Sequence, residues 1–237
     1  SGWARRSKRR TRLRSGPRDA AMDFRVDLPA DDAKLTALKA QAMKLVDSMS
    51  VLTQQMVDQV FSFGELGFQE FETSKYLTGV LEKNGFTIVR GVAGIPTAWT
   101  AVWKSPAGAK PVISLGSDVD DIPQASSKPG VGWHDPIIQG APGHGEGHNA
   151  GVPLNITAAI AVKKIMEGEK MPGTIHLWPG IAEEQLGSKA YFVREGVFKD
   201  VDAVLFTHVG TDLGVSWGAS GSLAIISAEF RFAGQSA

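Results

Sequence analysis

The sequence contains no cysteine, which excludes disulfide bonds and any chemistry that depends on a thiolate. It also has no apolar run of about 18 residues, the length that a membrane-spanning helix requires. The absence of cysteine fits a reducing compartment. These absences predict a cytoplasmic protein that makes no use of a membrane.

Acidic residues are missing from one end of the chain. Residues 1–18 carry eight basic side chains and no acidic one, whereas the remainder has 17 basic against 25 acidic residues. A basic arm can bind nucleic acid or an anionic membrane. The charges are not interleaved with aromatic residues and form no apolar face, and the apolar segment of a secretory signal is absent as well. We therefore interpret residues 1–21, which precede Met22, as a disordered or non-native tail, and nucleic-acid binding as unlikely.

The chain is rich in glycine, with 27 residues. In one run of nine consecutive positions, glycine is combined with two histidines and a glutamate. The run at 143–151 places His144, Glu146 and His148 at alternate positions. In an extended backbone these side chains point to one side and could converge on one ion. Nitrogen and carboxylate ligands suit zinc, manganese or a similar divalent ion. The run lacks the G-x-G-x-x-G spacing of dinucleotide-binding sites, and its alternative reading is a flexible surface turn.

Periodicity along the rest of the chain predicts alternating helices and strands. Helical spacing and strand-like apolar runs follow one another in the order that indicates a mainly parallel sheet with helices on both faces, an α/β fold. The predicted helices are 32–63, 70–83, 153–167 and 187–195, and the predicted strands are 86–90, 97–103, 111–116, 174–178 and 203–207.

Potential metal ligands follow three of these strands. Asp118 and Asp120 come after the strand at 111–116, the pair Glu183 and Glu184 after 174–178, and His208 directly after 203–207. The carboxyl ends of parallel strands share one edge of a sheet, where open α/β folds build their sites. Of two adjacent carboxylates, one can ligate a metal while its neighbour acts as a general base.

Each of these groups also has a structural explanation. The aspartates could form a solvated turn, and the glutamates could stabilise a helix N-terminus. Four separate groups that meet at one edge favour a metal site over four unrelated coincidences. His134 lies in a long loop at 122–142, where it could contact substrate or simply face solvent. His176 lies inside a predicted strand and is interpreted as a hydrogen-bonded core histidine.

The last twenty residues have a different pattern. Residues 223–232 alternate between apolar and polar side chains, which predicts a half-buried strand of an antiparallel sheet. We therefore predict two domains, a metal-binding α/β domain at 22–217 and the first strand of a second domain at 218–237.

Several ordered motifs carry a family resemblance over residues 60–237. The chain resembles the M20 metallopeptidase/amidohydrolase family and looks most like the B-type subunits of aminobenzoyl-glutamate utilisation within it. The motifs are E-L-G-F-Q-E (65–70), S-D-V-D-D-I-P (117–123), G-H-G-E-G-H-N (143–149), A-E-E (182–184), V-R-E-G-V-F-K-D-V-D (193–202), T-H-V (207–209) and F-x-G-Q-S-A (232–237).

The resemblance implies a zinc-exopeptidase-like catalytic domain, joined to an α+β lid or dimerisation domain that begins at residue 218. It also implies two divalent metal ions, Zn or Mn, a small-molecule amide or dipeptide substrate, and a homodimer when the protein is full length. In the family pattern H-x-C-G-H the cysteine and the last histidine are ligands. The candidates carried over are Glu183 and Asp120 as catalytic residues, and Glu146, His148, Glu184, His208 and Asp118 as metal ligands. Beside these, His134 and Asn149 are candidate substrate contacts.

The chain departs from the family pattern in two ways. Glu146 stands where the amidohydrolase branch has cysteine, and a carboxylate, being harder than a thiolate, shifts the expected preference towards manganese. The family also continues with a histidine directly after G-x-S-A, the remainder of the lid and a last metal ligand. We therefore expect the 237 residues alone to act as a fragment or truncated form with little activity, or as a non-catalytic metal-binding or interaction module.

Overall fold

The computed structural model describes residues 30–211, 214–216 and 228–235. The predicted tail at 1–21 and residues 218–227 of the predicted second domain lie outside this range. Residues 228–235 are exposed and adopt no regular secondary structure, so the described part of the strand predicted at 223–232 is not a strand. The division into two domains stays a prediction.

Two helices occupy the region for which one long helix was predicted. They are α1 (Ala33–Ser48) and α2 (Ser50–Phe61), and the break lies at Met49, whose ψ of 10° departs from helical geometry. The predicted cap at the start of α1 is confirmed, because a side-chain oxygen of Asp32 accepts the N–H of Leu35 at 2.7 Å. Apolar spacing alone continues across Met49 and therefore could not reveal the break.

In the part of the chain that the structure describes, five strands form a single mixed sheet in the order β1-β2-β4-β3-β5. Strand β3 pairs in parallel with β4 and β5, whereas β2 pairs antiparallel with β1 and β4. The predicted α/β class is confirmed, with two of the four pairings parallel. The strands are β1 (Thr87–Arg90), β2 (Trp99–Lys104), β3 (Val112–Asp118), β4 (Thr174–Gly180) and β5 (Ala203–Phe206).

Three further helices lie in the described residues, namely α3 (Phe71–Lys83), α4 (His148–Gly168) and α5 (Ser188–Arg194). Helix α3 precedes β1, whereas α4 connects β3 to β4 and α5 connects β4 to β5. Helix α4 begins five residues before the predicted start at Pro153. Gly147 precedes it with a φ of 76°, a left-handed conformation that glycine adopts without strain and that turns the chain directly into the helix. His148 is therefore held on the first turn of a helix. Within the described ranges, no helix combines the length and apolarity needed to cross a bilayer.

Helices cover both faces of the sheet. On one face, Trp178 of β4 packs edge-on against Phe192 of α5, with ring centroids 6.1 Å apart. On the other face, α4 lies so close to β3 that a Cβ added to Gly151 would fall 1.8 Å from the Ser117 hydroxyl oxygen. Because β3, β4 and β5 are parallel, their carboxyl ends share one edge of this layered structure.

His176 is a buried core histidine, as predicted. Its Nδ1 lies 2.9 Å from the Ser114 hydroxyl oxygen, and its ring packs against Phe198. Burial lowers the pKa of His176 to about 4, because a protonated ring would carry its charge away from water with no partner charge beside it. The imidazole is therefore neutral at physiological pH.

This burial predicts an acid-sensitive stability. The unfolded chain protonates His176 near its ordinary pKa of 6.5, whereas the folded chain does so only near 4. The free energy of unfolding should thus be unaffected above about pH 6.5 and lose up to about 3 kcal/mol as the pH falls to 4. Urea unfolding of the wild type and of His176→Gln across this range measures the difference, and equal pH dependence in both would contradict the assignment.

Candidate metal centre

The candidate ligands lie at the shared edge of the parallel strands. Asp118 is the last residue of β3, Glu183 and Glu184 start a short 3₁₀ turn after β4, and His208 follows β5. The glycine-rich run that leads into α4 contributes Glu146 and His148. Strand pairing thus brings together residues that are up to 90 positions apart in sequence.

Two groups of three side chains come close enough to hold an ion. One consists of Asp118, His148 and His208, and the other of Glu146, His148 and Glu184. Within each group the ligand atoms all lie within 4.8 Å of one another. Both groups include His148, which is buried, whereas His208, Glu146 and Glu184 are exposed to solvent.

The orientation of His148 is fixed by a hydrogen bond on its inner side. Its Nδ1–H donates to the backbone carbonyl of Asp120 at 2.9 Å, which leaves Nε2 as the atom facing the cluster. That atom lies 3.2 Å from Nε2 of His208 and 3.7 Å from a carboxylate oxygen of Glu146. One free nitrogen supplies one coordination bond, so the two groups compete for His148.

The same surroundings favour positive charge on His148. Burial opposes protonation, but the Asp120 carboxylate and carbonyl, together with Asp118, outweigh it and raise the pKa of His148 to about 9. Histidine ligates metals in its neutral form, so an ion that binds Nε2 near neutral pH displaces a proton. Whether His148 is protonated or binds an ion, a positive charge therefore lies at the centre of the acidic cluster.

Carboxylate crowding favours a cation in the second group. Burial raises the pKa of Glu184, and the nearby charges of Glu146 and Glu183 raise it further. One buried oxygen of Asp120, Oδ1, has no hydrogen-bond donor. Carboxylate and imidazole donors at these positions match the ligand preferences of zinc and manganese. The residues present therefore fit a divalent metal.

Asp118 already has a cationic partner. The Lys189 ammonium lies 2.8 and 3.0 Å from its two carboxylate oxygens and 4.0 Å from the Glu183 carboxylate. Burial raises the pKa of Asp118, and Lys189 partly offsets this effect. An ion in the Asp118 group would have to compete with this ammonium. Lys189 was not predicted, because a lysine on the first turn of a helix looks like an ordinary surface residue.

His144 does not join the cluster. Its Nδ1 lies 2.6 Å from a carboxylate oxygen of Asp121, its Nε2 lies 3.1 Å from the Val60 carbonyl, and its side chain is buried. The expected convergence of His144 with Glu146 and His148 is wrong, because residues 145 and 146 form a turn. Alternate side chains share a face only where the backbone is extended.

Asp120 holds Glu184 and His148 in position through two hydrogen bonds. Its Oδ2 accepts the backbone N–H of Glu184 at 3.0 Å, and its own carbonyl accepts from His148. Among the residues considered as substrate contacts, Asn149 donates its amide N–H to the Val57 carbonyl of α2 at 3.3 Å. His134 is exposed in the long loop.

Comparisons with known proteins show likeness in sequence and in fold. A p-aminobenzoyl-glutamate hydrolase subunit of Escherichia coli (strain K12) is 37% identical over 179 residues, which cover 76% of this chain and 36% of that protein. A Bacillus subtilis structure, described as YXEP, a dinuclear metal binding peptidase from the M20 family, is similar at a TM-score of 0.52 and 24% identity, covering 75% of this chain and 45% of the other.

A second solved structure has the same fold. The aminobenzoyl-glutamate utilization protein from Klebsiella pneumoniae matches with a TM-score of 0.56 and 15% identity over 72% of this chain and 46% of that one. No family model matches the sequence. The chain spans about a third of the length of the curated relatives it matches.

The geometry predicts that Zn²⁺ binding depends on His148 and Glu184. Replacing either residue by alanine should weaken binding at least tenfold, since loss of even an outer-shell partner typically costs 10–100-fold in affinity. Isothermal titration of the metal-free protein with Zn²⁺ measures this, with the exposed His134→Ala variant as a control that keeps wild-type affinity. Equal affinity in all three variants would contradict the site.

Proposed function

The chain is a relative of the M20 metallopeptidases in sequence and in fold, and we propose that the whole protein is a metal-dependent hydrolase of amide bonds. The substrate class that we propose is N-acyl amino acids, aminobenzoyl-glutamate-like compounds or small peptides. The E. coli relative is a p-aminobenzoyl-glutamate hydrolase subunit, and other relatives are an Xaa-Arg dipeptidase and an N-acetyl-L-cysteine deacetylase. All of these names describe cleavage of the amide bond that joins an amino acid to another group.

The observation that carries the proposal is that two carboxylates and one imidazole lie together at the carboxyl ends of the parallel strands, with a further carboxylate beside them. Glu146, His148 and Glu184 have ligand atoms within 4.8 Å of one another, and Glu183 directly precedes Glu184. Divalent ions held there would polarise the amide carbonyl and lower the pKa of an attacking water. The neighbouring side chains then have to move one proton.

We assign this proton transfer to Glu183. Its side chain is about one-third exposed, so substrate and water can reach it, and the Lys189 ammonium lies 4.0 Å from its carboxylate. As general base, the Glu183 carboxylate takes a proton from the attacking water; as general acid, it returns that proton to the leaving amine. Asp120 supports the reaction by holding the Glu184 backbone and the His148 ring in place.

Three finer features are part of the same proposal. Glu146 makes the ligand set harder than a thiolate would, which favours manganese alongside zinc. A site for two ions needs more ligands than these, because His148 offers one free nitrogen to both groups. We also propose that the whole protein acts as a homodimer in the cytoplasm, and that substrate contacts include His134 and Asn149.

The decisive variant is Glu183→Gln in the whole protein. It should lower kcat by about 100- to 10,000-fold, the usual contribution of general acid–base catalysis, while Zn²⁺ affinity stays within threefold of wild type. Release of the amino acid from p-aminobenzoyl-glutamate, N-acetyl amino acids and dipeptides reports kcat. Glu195→Gln, which changes an exposed carboxylate just after α5, is the matched control and should keep full activity.

Two results would argue against this function. Near-normal turnover in Glu183→Gln would remove Glu183 from the mechanism. A wild-type protein that binds Zn²⁺ and Mn²⁺ but hydrolyses none of these amides would indicate a non-catalytic metal-binding module, which shares the ligands but not the reaction.

A further inference from the structure

Glu70 is a buried acid that the proposed reaction does not use. Its side chain has no solvent exposure, and no ion pair involves it in the described part of the chain. Burial raises the pKa of the Glu70 carboxyl, and hydrogen bonds from backbone N–H groups and from Thr97 partly offset this rise. A carboxylate is costly to bury, so its few contacts indicate what it does.

Helix capping does not explain this residue. Glu70 occupies the N-cap position of α3, yet its side chain makes no capping hydrogen bond. The backbone N–H groups of Glu72 and Thr73 donate instead to the two carboxylate oxygens of Glu65, at 2.8 and 2.9 Å. The Glu70 carboxylate can therefore accept hydrogen bonds from donors elsewhere in the chain.

That partner is the turn that carries Glu183 and Glu184. Oε1 of Glu70 accepts the backbone N–H of Ala182 at 2.8 Å, across 112 positions of sequence, and Oε2 accepts the Thr97 hydroxyl at 2.9 Å. Ala182 has a φ of 53° and a ψ of 45°, a left-handed conformation that residues with a Cβ rarely adopt. Such a conformation persists where surrounding contacts fix it.

Close packing makes the link rigid. A Cβ placed on Gly67 would lie 2.9 Å from both Cα and Cβ of Ala182, so the 65–70 segment lies directly against the turn. On the opposite side, the N–H of Gly187 donates to the Ala182 carbonyl at 2.8 Å. The direction of the chain as it leaves Ala182 determines where the next two side chains, Glu183 and Glu184, point.

We propose that Glu70 is a positioning residue for the metal centre: its carboxylate fixes the left-handed turn at Ala182 and so aims Glu184 at the ion and Glu183 at the substrate. This inference rests on the proposed function, since it assigns Glu184 as a ligand. A residue that serves only the fold would affect stability alone, whereas a positioning residue also affects metal affinity in protein that remains folded.

The test compares Zn²⁺ affinity and thermal stability in four variants of the metal-free chain. Glu70→Ala removes the acceptor for Ala182 and should weaken Zn²⁺ binding about 10- to 100-fold. Glu70→Gln keeps an oxygen that can accept the same N–H and should restore affinity to within threefold of wild type. Thr97→Val removes the hydroxyl donor to this carboxylate and should lower the melting temperature without changing affinity.

Gly67→Ala is the fourth variant and covers the case in which Glu70→Ala does not fold. Its added methyl group displaces the turn while Glu70 stays intact, so affinity should again fall about tenfold or more. Wild-type affinity in folded Glu70→Ala or in Gly67→Ala would overturn the inference, as would an equal loss in Thr97→Val. A wild-type chain that fails to bind Zn²⁺ would instead contradict the proposed metal centre itself.

Discussion

The candidate centre depends on two hydrogen bonds from one short turn to two buried carboxylates. The Ala182 N–H is held by Glu70 and the Glu184 N–H by Asp120, at 2.8 and 3.0 Å. These acceptors come from different parts of the chain, one before α3 and the other after β3. They keep a left-handed residue in a conformation that costs about 1–2 kcal/mol when nothing supports it. These two hydrogen bonds therefore fix the direction in which the side chains of Glu183 and Glu184 point.

Electrostatics explains why such an arrangement calls for cations. Asp118, Asp120 and Asp121 are buried at the end of β3, and the ligand atoms of Glu146 and Glu184 lie within 4.8 Å of each other and of His148. Lys189 neutralises Asp118, His144 pairs with Asp121, and His148 tends to retain a proton. Glu146 and Glu184 lie close together without a lysine or arginine partner among the described residues. A divalent ion would relieve their mutual repulsion and release the proton on His148.

Much of the fold was predictable because its signals are local. Apolar runs located all five strands, and the rule that parallel strands end at one edge brought Asp118, Glu184 and His208 together before any coordinates. The boundary errors have local causes as well. Gly147 starts α4 earlier than Pro153 indicated, and the break at Met49 lies within an uninterrupted apolar pattern.

The supporting residues could not be predicted in the same way. Glu70 contacts Ala182 across 112 positions, and Lys189 contacts Asp118 across 71, so neither pairing leaves a mark on nearby sequence. His144 was expected beside His148 because the run was read as extended, whereas a turn directs its ring to Asp121. Sequence spacing indicated the residues that we propose for the chemistry, but tertiary packing determines which of them face one another.

The most direct measurement is a crystal structure of the protein grown with Zn²⁺, with anomalous data collected on both sides of the zinc absorption edge. The account predicts an anomalous peak about 2.0–2.2 Å from Nε2 of His148 and from carboxylate oxygens of Glu146 and Glu184. Zinc bound at other residues while these three side chains remain free would contradict it.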